Sequence, residues 1–209
     1  MYTPAHFAQA DTVALHALVK AHPLGVLIHN GPQGLDANHL PFDLDPTTGP
    51  LGTLHAHVAR ANPLWQQCAA GADVLVVFRS VAGYISPNWY PSKHVAHRQV
   101  PTWNYEVVHA HGRLTVHDDV RYVRGLVARL TRTHEASQPQ PWKMGDAPSD
   151  YLDAMLANIV GLEITITRLE GKSKLSQNKD ALDRSTAAAA LDDLGQTGLA
   201  QAMRGTLAS

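Results

Sequence analysis

Three stretches of this sequence combine aromatic rings with hydroxyl and cationic side chains. They cover residues 57–65, 84–93 and 100–105, and they contain three of the four tryptophans of the chain. Flat apolar rings suit a planar aromatic ligand, while arginine, lysine and hydroxyl groups are common donors to a phosphate. Because a single buried aromatic residue is more often part of a core, the interpretation depends on all three stretches together. They predict a pocket for a phosphorylated aromatic cofactor.

Arg60 is the first candidate for binding the phosphate. It follows a strand-like run and precedes Asn62-Pro63, which is typical of a helix start. Its guanidinium and the free backbone N–H groups of that helix are placed to converge on an anion. The alternative is an ordinary surface ion pair, and the residues alone favour neither.

A polar segment over residues 172–179 offers further donors. It is predicted to be a loop, and it contains three lysines with a Ser-Gln-Asn sequence among them. Such a loop is either a solvated run of charge or a lid that reaches a cofactor. The lysines are Lys172, Lys174 and Lys179.

The 13 histidines suggest a second kind of site. Alternate residues of a strand face the same side, so the pairs His55/His57 and His109/His111 together offer four imidazoles to a metal ion in a metallo-barrel. Strand histidines more often stack, form hydrogen bonds or line a neutral pocket. Haem binding through His39 or His57 is a further alternative.

A stripe of arginines on one predicted helix is the only feature that resembles a DNA-binding surface. It consists of Arg121, Arg124, Arg129 and Arg132. An amphipathic helix needs a polar side, and the short second helix of a helix-turn-helix reader is not evident. The formal net charge of −1 and the pI near 6.9 also give no global attraction to nucleic acid. The polar-face interpretation is therefore favoured.

Composition predicts a globular protein with a substantial core. The chain has 209 residues, 44% of them hydrophobic, and its single cysteine, Cys68, excludes an internal disulfide. Neither a signal-like N-terminus nor an apolar run of about 20 residues is evident. We therefore expect a cytoplasmic protein.

The apolar patterns place these candidates mainly on strands and their ends. Strands are predicted at 24–29, 38–43, 51–58, 73–78, 104–117 and 161–169, and helices at 12–20, 64–70, 120–130 and 151–159, before an Ala-rich helical tail. Short strands with Gly, Pro and Asn turns indicate an antiparallel barrel or sandwich. We predict one mainly β domain over residues 1–177 with flanking helices, and a helical tail over 178–209 packed on it.

Six blocks of sequence resemble the PaiB family. They are Met1–Phe7, His39–Phe42, Gly52–Pro63, Tyr84–Tyr90, Val100–Tyr105 and Lys174–Asn178. The resemblance implies an antiparallel split β-barrel of the FMN-binding, pyridoxamine-phosphate-oxidase-like class. It also implies a homodimer with cofactor sites at the subunit interface and a role as negative transcriptional regulator of sporulation and protease genes. DNA is a possible partner by that label only.

The same resemblance assigns the cofactor-binding residues. His57, Arg60 and Asn62 would surround the flavin phosphate, with Arg60 as the leading ligand. Ser86, Trp89, Tyr90 and Lys93 would form a second wall, Thr102, Trp103 and Asn104 would approach from a neighbouring strand, and Gln177 would complete the set. A flavin carries its own redox chemistry, so no catalytic side chain is required. The alternatives to the regulator are a flavin-dependent oxidoreductase and a haem- or metal-binding barrel.

Overall fold

The computed structural model describes residues 1–68 and 71–207, and they are mainly β with flanking helices, as predicted. The strands are β1 (Ala8–Gln9), β2 (Leu24–Gly31), β3 (Gly34–Pro41), β4 (Asp43–Asp45), β5 (Thr53–Ala59), β6 (Ala72–Ile85), β7 (Thr102–His117) and β8 (Ile159–Lys174). The α-helices are α1 (Thr12–Ala21), α2 (Leu64–Gln67), α3 (Pro91–Ala96), α4 (Val120–Glu135), α5 (Ser149–Ala157), α6 (Ala181–Asp193) and α7 (Thr197–Gly205). Single 3₁₀ turns lie at Ala5–Phe7, Pro87–Trp89 and Met144–Asp146.

The strands form one sheet in the order β3-β2-β6-β7-β8-β5-β4, with β1 also paired to β8. The pairs β2–β3, β2–β6, β4–β5, β5–β8 and β1–β8 are antiparallel. Buried and exposed side chains alternate along the strands, as β5 shows. Leu54, Ala56 and Val58 are buried on one face of β5, whereas His55 and His57 on the other face are partly exposed. One face of β5 therefore supplies core, and the other presents the histidines.

Several predicted boundaries need correction. The strand predicted over 73–78 continues to Ile85 as β6, and the helix predicted over 120–130 continues to Glu135 as α4. The strand predicted over 38–43 is divided, because the backbone N–H of Phe42 donates to the carbonyl of Pro23 between β3 and β4. The loop predicted over 172–179 begins later, because Gly171 and Lys172 continue β8 by pairing with β1. The helix predicted over 64–70 ends at Gln67, and residues 69 and 70 of that prediction lie outside the described residues.

The chain forms two compact units. The first unit consists of residues 1–18, 79–108 and the described residues from 170 onward, and the second consists of 19–78 and 109–169. The unit boundaries fall inside β6, β7 and β8. The predicted division into 1–177 and 178–209 coincides with neither unit and stays a prediction.

The core of the first unit explains why the C-terminal helices belong to it. It contains Ile85, Tyr90, Leu175, Ala187, Ala188, Leu191, Leu199, Ala200 and Met203. The small alanines of α6 allow this helix to lie close to α7, and Tyr90 is fully buried among them. Among the described residues, no helix is long and apolar enough to cross a membrane.

Candidate cofactor site

A buried polar network in the first unit joins three chain segments. The hydroxyl oxygens of Tyr90 and Ser176 are 3.0 Å apart, and Nδ2 of Asn104 donates to Ser176 Oγ at 2.9 Å. All three residues are at most 3% exposed, and burial raises the pKa of the Tyr90 phenol. Ser176 has a φ of 67°, a left-handed conformation that is costly for a residue with a side chain. The network thus holds Tyr90, Asn104 and Ser176 together, and the cofactor-binding roles of Tyr90 and Asn104 stay predictions.

The segment that precedes α3 is held by its own side chains. Ser86 caps the 3₁₀ turn, since its Oγ accepts from the backbone N–H of Asn88 at 3.2 Å. Lys93 Nζ donates to Asn88 Oδ1 at 2.9 Å, and Trp89 packs partly buried against the core. This local geometry explains the Ser-Pro-Asn-Trp sequence without a ligand, and it leaves the cofactor roles of Ser86, Trp89 and Lys93 as predictions.

Lys174 joins β8 to the start of β7. Its ammonium donates to Thr102 Oγ1 and, at 2.5 Å, to the carbonyl of Trp103. Partial burial lowers the pKa of Lys174, and the positive charges of Lys172 and Lys179 lower it further. Sequence reasoning omitted Lys174 from the predicted site residues, although its place beside a Ser-Gln-Asn sequence was a signal for it.

Gln177 closes the turn that follows β8. Its Oε1 accepts from the backbone N–H of Leu175 at 2.8 Å, and its Nε2 donates to the carbonyl of Ser173 at 2.6 Å. Both ends of the amide are therefore used to shape the turn. A direct role of Gln177 in cofactor binding stays a prediction.

A cavity of about 410 Å³ opens on the first unit. Its walls are Val81–Tyr84 of β6, Trp103 of β7 and residues 195–199, where α7 begins. The rings of Tyr84 and Trp103 lie edge to face with centroids 6.4 Å apart, and they are 44% and 57% exposed. The volume lies within the range of about 300–1,000 Å³ of small-molecule sites. Two large exposed rings beside such a cavity suit a flat aromatic ligand.

Gly83 determines how closely α7 approaches this wall. A Cβ on Gly83 would lie 2.4 Å from Gln196 Oε1 and 2.7 Å from Leu199 Cδ2. The absence of a Cβ at Gly83 therefore lets the side chains of Gln196 and Leu199 at the start of α7 pack directly on β6. The contact brings the amide of Gln196 and the hydroxyl of Thr197 to the rim of the cavity.

In the second unit, Arg60 is already engaged by protein groups. Its Nη1 and Nη2 donate to the two carboxylate oxygens of Asp118 at 3.0 and 2.6 Å, and Nε donates to the carbonyl of Ala157 at 2.7 Å. The hydrogen bond raises the pKa of Arg60 and lowers the pKa of Asp118. A phosphate bound by Arg60 would have to compete with this bidentate ion pair. The phosphate role of Arg60 stays a prediction.

The two neighbours of Arg60 in the predicted phosphate segment have separate roles. Asn62 Oδ1 accepts from the backbone N–H of Leu64 at 2.9 Å, while its Nδ2 donates to Asn38 at 2.7 Å. Asn62 thus caps the short α2, as its position before proline suggested. His57 has a buried Nδ1 that forms no hydrogen bond in the described structure, and burial lowers the pKa of its ring. His57 is therefore a neutral half-buried imidazole.

The predicted site residues divide between the units. Eight lie in the first unit, namely Ser86, Trp89, Tyr90, Lys93, Thr102, Trp103, Asn104 and Gln177. Three lie in the second unit, namely His57, Arg60 and Asn62. Of the eight, Tyr90, Thr102, Trp103, Asn104 and Gln177 are joined to residues 173–176 by the contacts described above.

The contacts of His55 and of two arginines on α4 weaken the metal site predicted at His55/His57 and the DNA-binding alternative, while the pair His109/His111 stays a prediction. His55 Nδ1 lies 2.7 Å from the hydroxyl of Tyr122, and burial is the main cause that lowers the pKa of His55. On α4, Arg124 forms an ion pair with Asp153, and Arg129 Nε donates to Asp43 at 2.9 Å. These partners occupy His55 Nδ1, which would otherwise be available to a metal ion, and two guanidinium groups, which would otherwise be available to a DNA phosphate.

The donor set of the first unit fits a flavin ring. Tyr84 and Trp103 supply exposed aromatic faces, and Gln196 and Thr197 supply an amide and a hydroxyl at the same cavity. A flavin ring has broad apolar faces, which match the aromatic rings of the cavity. It also has a polar edge of carbonyl and N–H groups, which match the amide and the hydroxyl. The fit concerns the ring, and the phosphate requires cations in addition.

Comparisons with known proteins agree with this chemistry. A family model described as "Putative FMN-binding domain" matches residues 1–168. An uncharacterized protein of Emericella nidulans is 32% identical, with 93% of this chain and 92% of that protein covered. The Bacillus subtilis protein named "Protease synthase and sporulation protein PAI 2" is 28% identical, with 88% and 85% covered.

Solved structures show the same fold at low sequence identity. A conserved hypothetical protein from Mycobacterium tuberculosis has a TM-score of 0.59 at 11% identity, with 85% of this chain and 92% of that chain covered. The flavocytochrome Anf3 from Azotobacter vinelandii has a TM-score of 0.57 at 12% identity, covering 80% and 69%. A protein from Mycobacterium smegmatis that binds FAD and haem has a TM-score of 0.55 at 16% identity, covering 83% and 76%. The prediction of an antiparallel split barrel with flanking helices is confirmed.

Proposed function

The chain belongs to the FMN-binding domain family whose model matches its residues 1–168, and from this premise we propose that it is a PaiB-type regulatory flavoprotein. FMN is the cofactor that the family assigns to it. One observation carries the site proposal: the cavity of the first unit is walled by the exposed rings of Tyr84 and Trp103. These rings would hold the flavin by stacking, with Gln196 and Thr197 directed at its polar edge.

The residues of this chain would bind and orient the cofactor rather than exchange protons with a substrate. FMN supplies reversible electron and hydride transfer when it is bound. The buried network of Tyr90, Ser176 and Asn104 would keep the neighbouring segments fixed, so that the ring faces are preorganised. No general acid or nucleophile is part of the proposal.

The regulatory role is supported by the name of the Bacillus subtilis relative, which refers to protease synthesis and sporulation. We propose that this role depends on the flavin-bound state and not on direct contact of α4 with DNA. The ion pairs of Arg124 and Arg129 with aspartates support this choice, since paired arginines release fewer counterions from DNA.

A flavin-dependent oxidoreductase is the second candidate function. It is favoured by the exposure of Trp103, which is 57%, because an uncovered ring beside the cavity leaves a face for a second planar molecule. Steady consumption of NADH or NADPH by the FMN-loaded protein, with an electron acceptor present, would support it. A reduction rate equal to that of free FMN would exclude it.

A homodimer is the proposed assembly. The PaiB resemblance supports it, and two large hydrophobic residues three positions apart in the sequence, Val100 and Trp103, are 74% and 57% exposed in the single chain. Light scattering after gel filtration should give twice the chain mass of 22.6 kDa. A mass of one chain at micromolar concentration would contradict a stable dimer.

The flavin proposal is tested by the visible spectrum and by titration. We expect bound or tightly titrating FMN, with quenching of its fluorescence by Tyr84 and Trp103. The Trp103→Ala variant should bind FMN about fivefold more weakly, consistent with the loss of one aromatic contact of about 1 kcal/mol. A matched control is Trp142→Ala, which removes an exposed tryptophan of the second unit. A wild-type protein that is indifferent to FMN but gives a Soret band with haem would overturn the proposal.

A further inference from the structure

Three lysines of the first unit gather around the end of β8. Lys172 and Lys174 are alternate residues of β8, so their side chains leave the same face of the strand. Lys172 lies 5.4 Å over the ring of Tyr105, and Lys174 donates to the carbonyl of Trp103, so both lie beside β7. Lys179 follows in the turn after β8, where it donates to Gln99 Oε1 at 2.5 Å. We call these three residues the lysine cluster.

Among the described residues, no hydrogen bond or ion pair joins the lysine cluster to an acidic side chain. In residues 1–68 and 71–207, each of the three ammonium groups bonds to a neutral oxygen: the carbonyl of Tyr2, the hydroxyl of Thr102 with the carbonyl of Trp103, and the amide of Gln99. Lysine is seldom buried without an acidic partner, yet Lys172 is only 9% exposed.

Three carboxylates of the neighbouring segments are bonded to other groups. Glu170, two residues before Lys172 on β8, forms an ion pair with the N-terminal amine at 3.4 Å. Glu106 accepts from Ser173 at 2.9 Å, and Ser173 lies between Lys172 and Lys174, so it points to the opposite face of β8. Asp183 is buried and accepts from both the backbone N–H and the hydroxyl of Ser92. None of these acids can therefore approach the ammonium groups without losing these bonds.

The lysine cluster retains unused hydrogen-bond donors. Each ammonium carries three N–H groups, whereas the contacts above use two on Lys174 and one each on Lys172 and Lys179. The aromatic rings beneath Lys172 and Lys179 stabilise the cations without occupying these donors. Several charged donors held on a folded frame, without a counterion, are the chemistry of an anion site.

We propose that Lys172, Lys174 and Lys179, with the hydroxyl of Thr102, form a binding site for a phosphate group, and that the phosphomonoester of FMN is the group it holds. The second half of this proposal rests on the flavin function proposed above, whereas the phosphate site itself does not. The assignment places the phosphate anchor in the same unit as the aromatic cavity, while the predicted anchor Arg60 is engaged by Asp118 in the other.

The first test compares FMN with riboflavin, which lacks only the phosphate. The variants are the double substitution Lys172→Gln with Lys174→Gln, and Lys20→Gln as a control at an exposed lysine of α1. We expect wild type and Lys20→Gln to prefer FMN over riboflavin, and the double variant to bind FMN about 100-fold more weakly, since two charge-assisted bonds are lost. Riboflavin affinity should stay unchanged in all three proteins.

The second test uses inorganic phosphate alone and measures thermal unfolding. Phosphate should raise the Tm of wild type and Lys20→Gln above that in sodium chloride of equal ionic strength, and it should leave the double variant unchanged. In buffer free of phosphate, the double variant should still unfold in a single cooperative transition, since the loss of repulsion between the two charges offsets part of the cost of the lost hydrogen bonds. This also checks that the variant is folded.

The outcomes separate the two proposals. If FMN binds but the double variant keeps both the preference for FMN and the phosphate-dependent rise in Tm, the phosphate site is overturned and the flavin function stands. If the phosphate effect is found and is lost in the double variant, while wild type does not bind FMN, the phosphate site stands and the flavin function is overturned. If the double variant loses the phosphate effect but keeps the preference for FMN, the cluster binds the phosphate of another ligand.

Discussion

At the scale of single residues, the clearest feature is a strained serine that holds a buried hydrogen-bond network. Ser176 has a positive φ and yet is not glycine, because its hydroxyl contacts both Tyr90 and Asn104. The two bonds offset a backbone conformation that costs of order 1–3 kcal/mol. The strain lies in the turn between Lys174 and Lys179, so it also fixes the geometry of the lysine cluster.

The Ser176→Ala variant tests this network. It keeps the strained backbone, removes the hydrogen-bond partner of the buried phenol of Tyr90, and leaves the amide nitrogen of Asn104 with only the sulfur of Met203. We expect the free energy of unfolding to fall by about 2 kcal/mol, measured by urea denaturation. Ser185→Ala, at an exposed position of α6, should change it by less than about 0.5 kcal/mol. Equal effects of the two substitutions would show that the network is not stabilising.

The buried histidines predict a loss of stability in mild acid. Burial lowers the pKa of His57 below the unfolded value of 6.5, so in acid the unfolded chain binds a proton more readily than the folded chain. Above pH 6.5 both states are neutral and His57 has no effect, whereas below it stability falls until the folded ring also titrates. The His57→Gln variant should therefore show a smaller drop in Tm between pH 7.5 and pH 5.5, as about one titrating group is removed. An unchanged drop would contradict a neutral buried His57.

At the scale of elements, most strands of the sheet were predictable from alternating apolar residues and from the turn residues between them. The strand ends that depend on pairing between distant segments were not. The strands β2, β5 and β7 were predicted because their apolar residues alternate locally. The end of β8 contains Gly171 between charged residues and reads as a loop, and only its pairing with β1 keeps it extended. The strand propensity of a short sequence window gives no information about a pairing strand more than 160 residues away.

The same limit applied to the candidate site. The aromatic residues were identified from composition, but the partner of Arg60 is Asp118, which is 58 positions away in the sequence. The network of Tyr90 with Ser176 and the contact of Lys174 with Thr102 likewise join segments more than 70 residues apart. The residue types therefore predicted which chemical groups are present. Which arginine and lysine side chains are already bonded to protein groups could be learned only from the structure.

The contact between β6 and α7 gives a prediction at this scale. The Gly83→Ala substitution places a methyl group against the side-chain ends of Gln196 and Leu199, so these side chains must shift at the wall of the cavity. We expect a loss of about 1–3 kcal/mol in stability and weaker FMN binding, measured by thermal unfolding and by titration. Gly145→Ala is the matched control, since an added Cβ there meets no atom within 4 Å. Tight FMN binding by a stable Gly83→Ala protein would show that this wall does not contact the flavin.

At the scale of the whole molecule, family membership and charge lead to different expectations for DNA. The PaiB resemblance inferred from six sequence blocks is confirmed by the family model and by the Bacillus subtilis relative. That relative's name concerns protease synthesis and sporulation, but the net charge of this chain is −1 and two arginines of α4 are paired with aspartates. A chain of this composition has little electrostatic affinity for a polyanion.

We therefore expect the purified protein, with or without FMN, not to shift a DNA fragment in gel electrophoresis at about 50 mM salt, where nonspecific attraction is strongest. A charge-neutralising variant provides the comparison. The double substitution Asp43→Asn with Asp153→Asn releases Arg129 and Arg124, and this variant should gain weak DNA binding that is lost near 200 mM salt. Gain of binding in the variant alone would show that the aspartates mask the arginine stripe. A shift by the wild-type protein that weakens steeply with salt would contradict the expectation and make α4 the first surface to mutate. In that case the regulatory role would act on DNA directly, and the flavin would become its effector instead of its sole means of action.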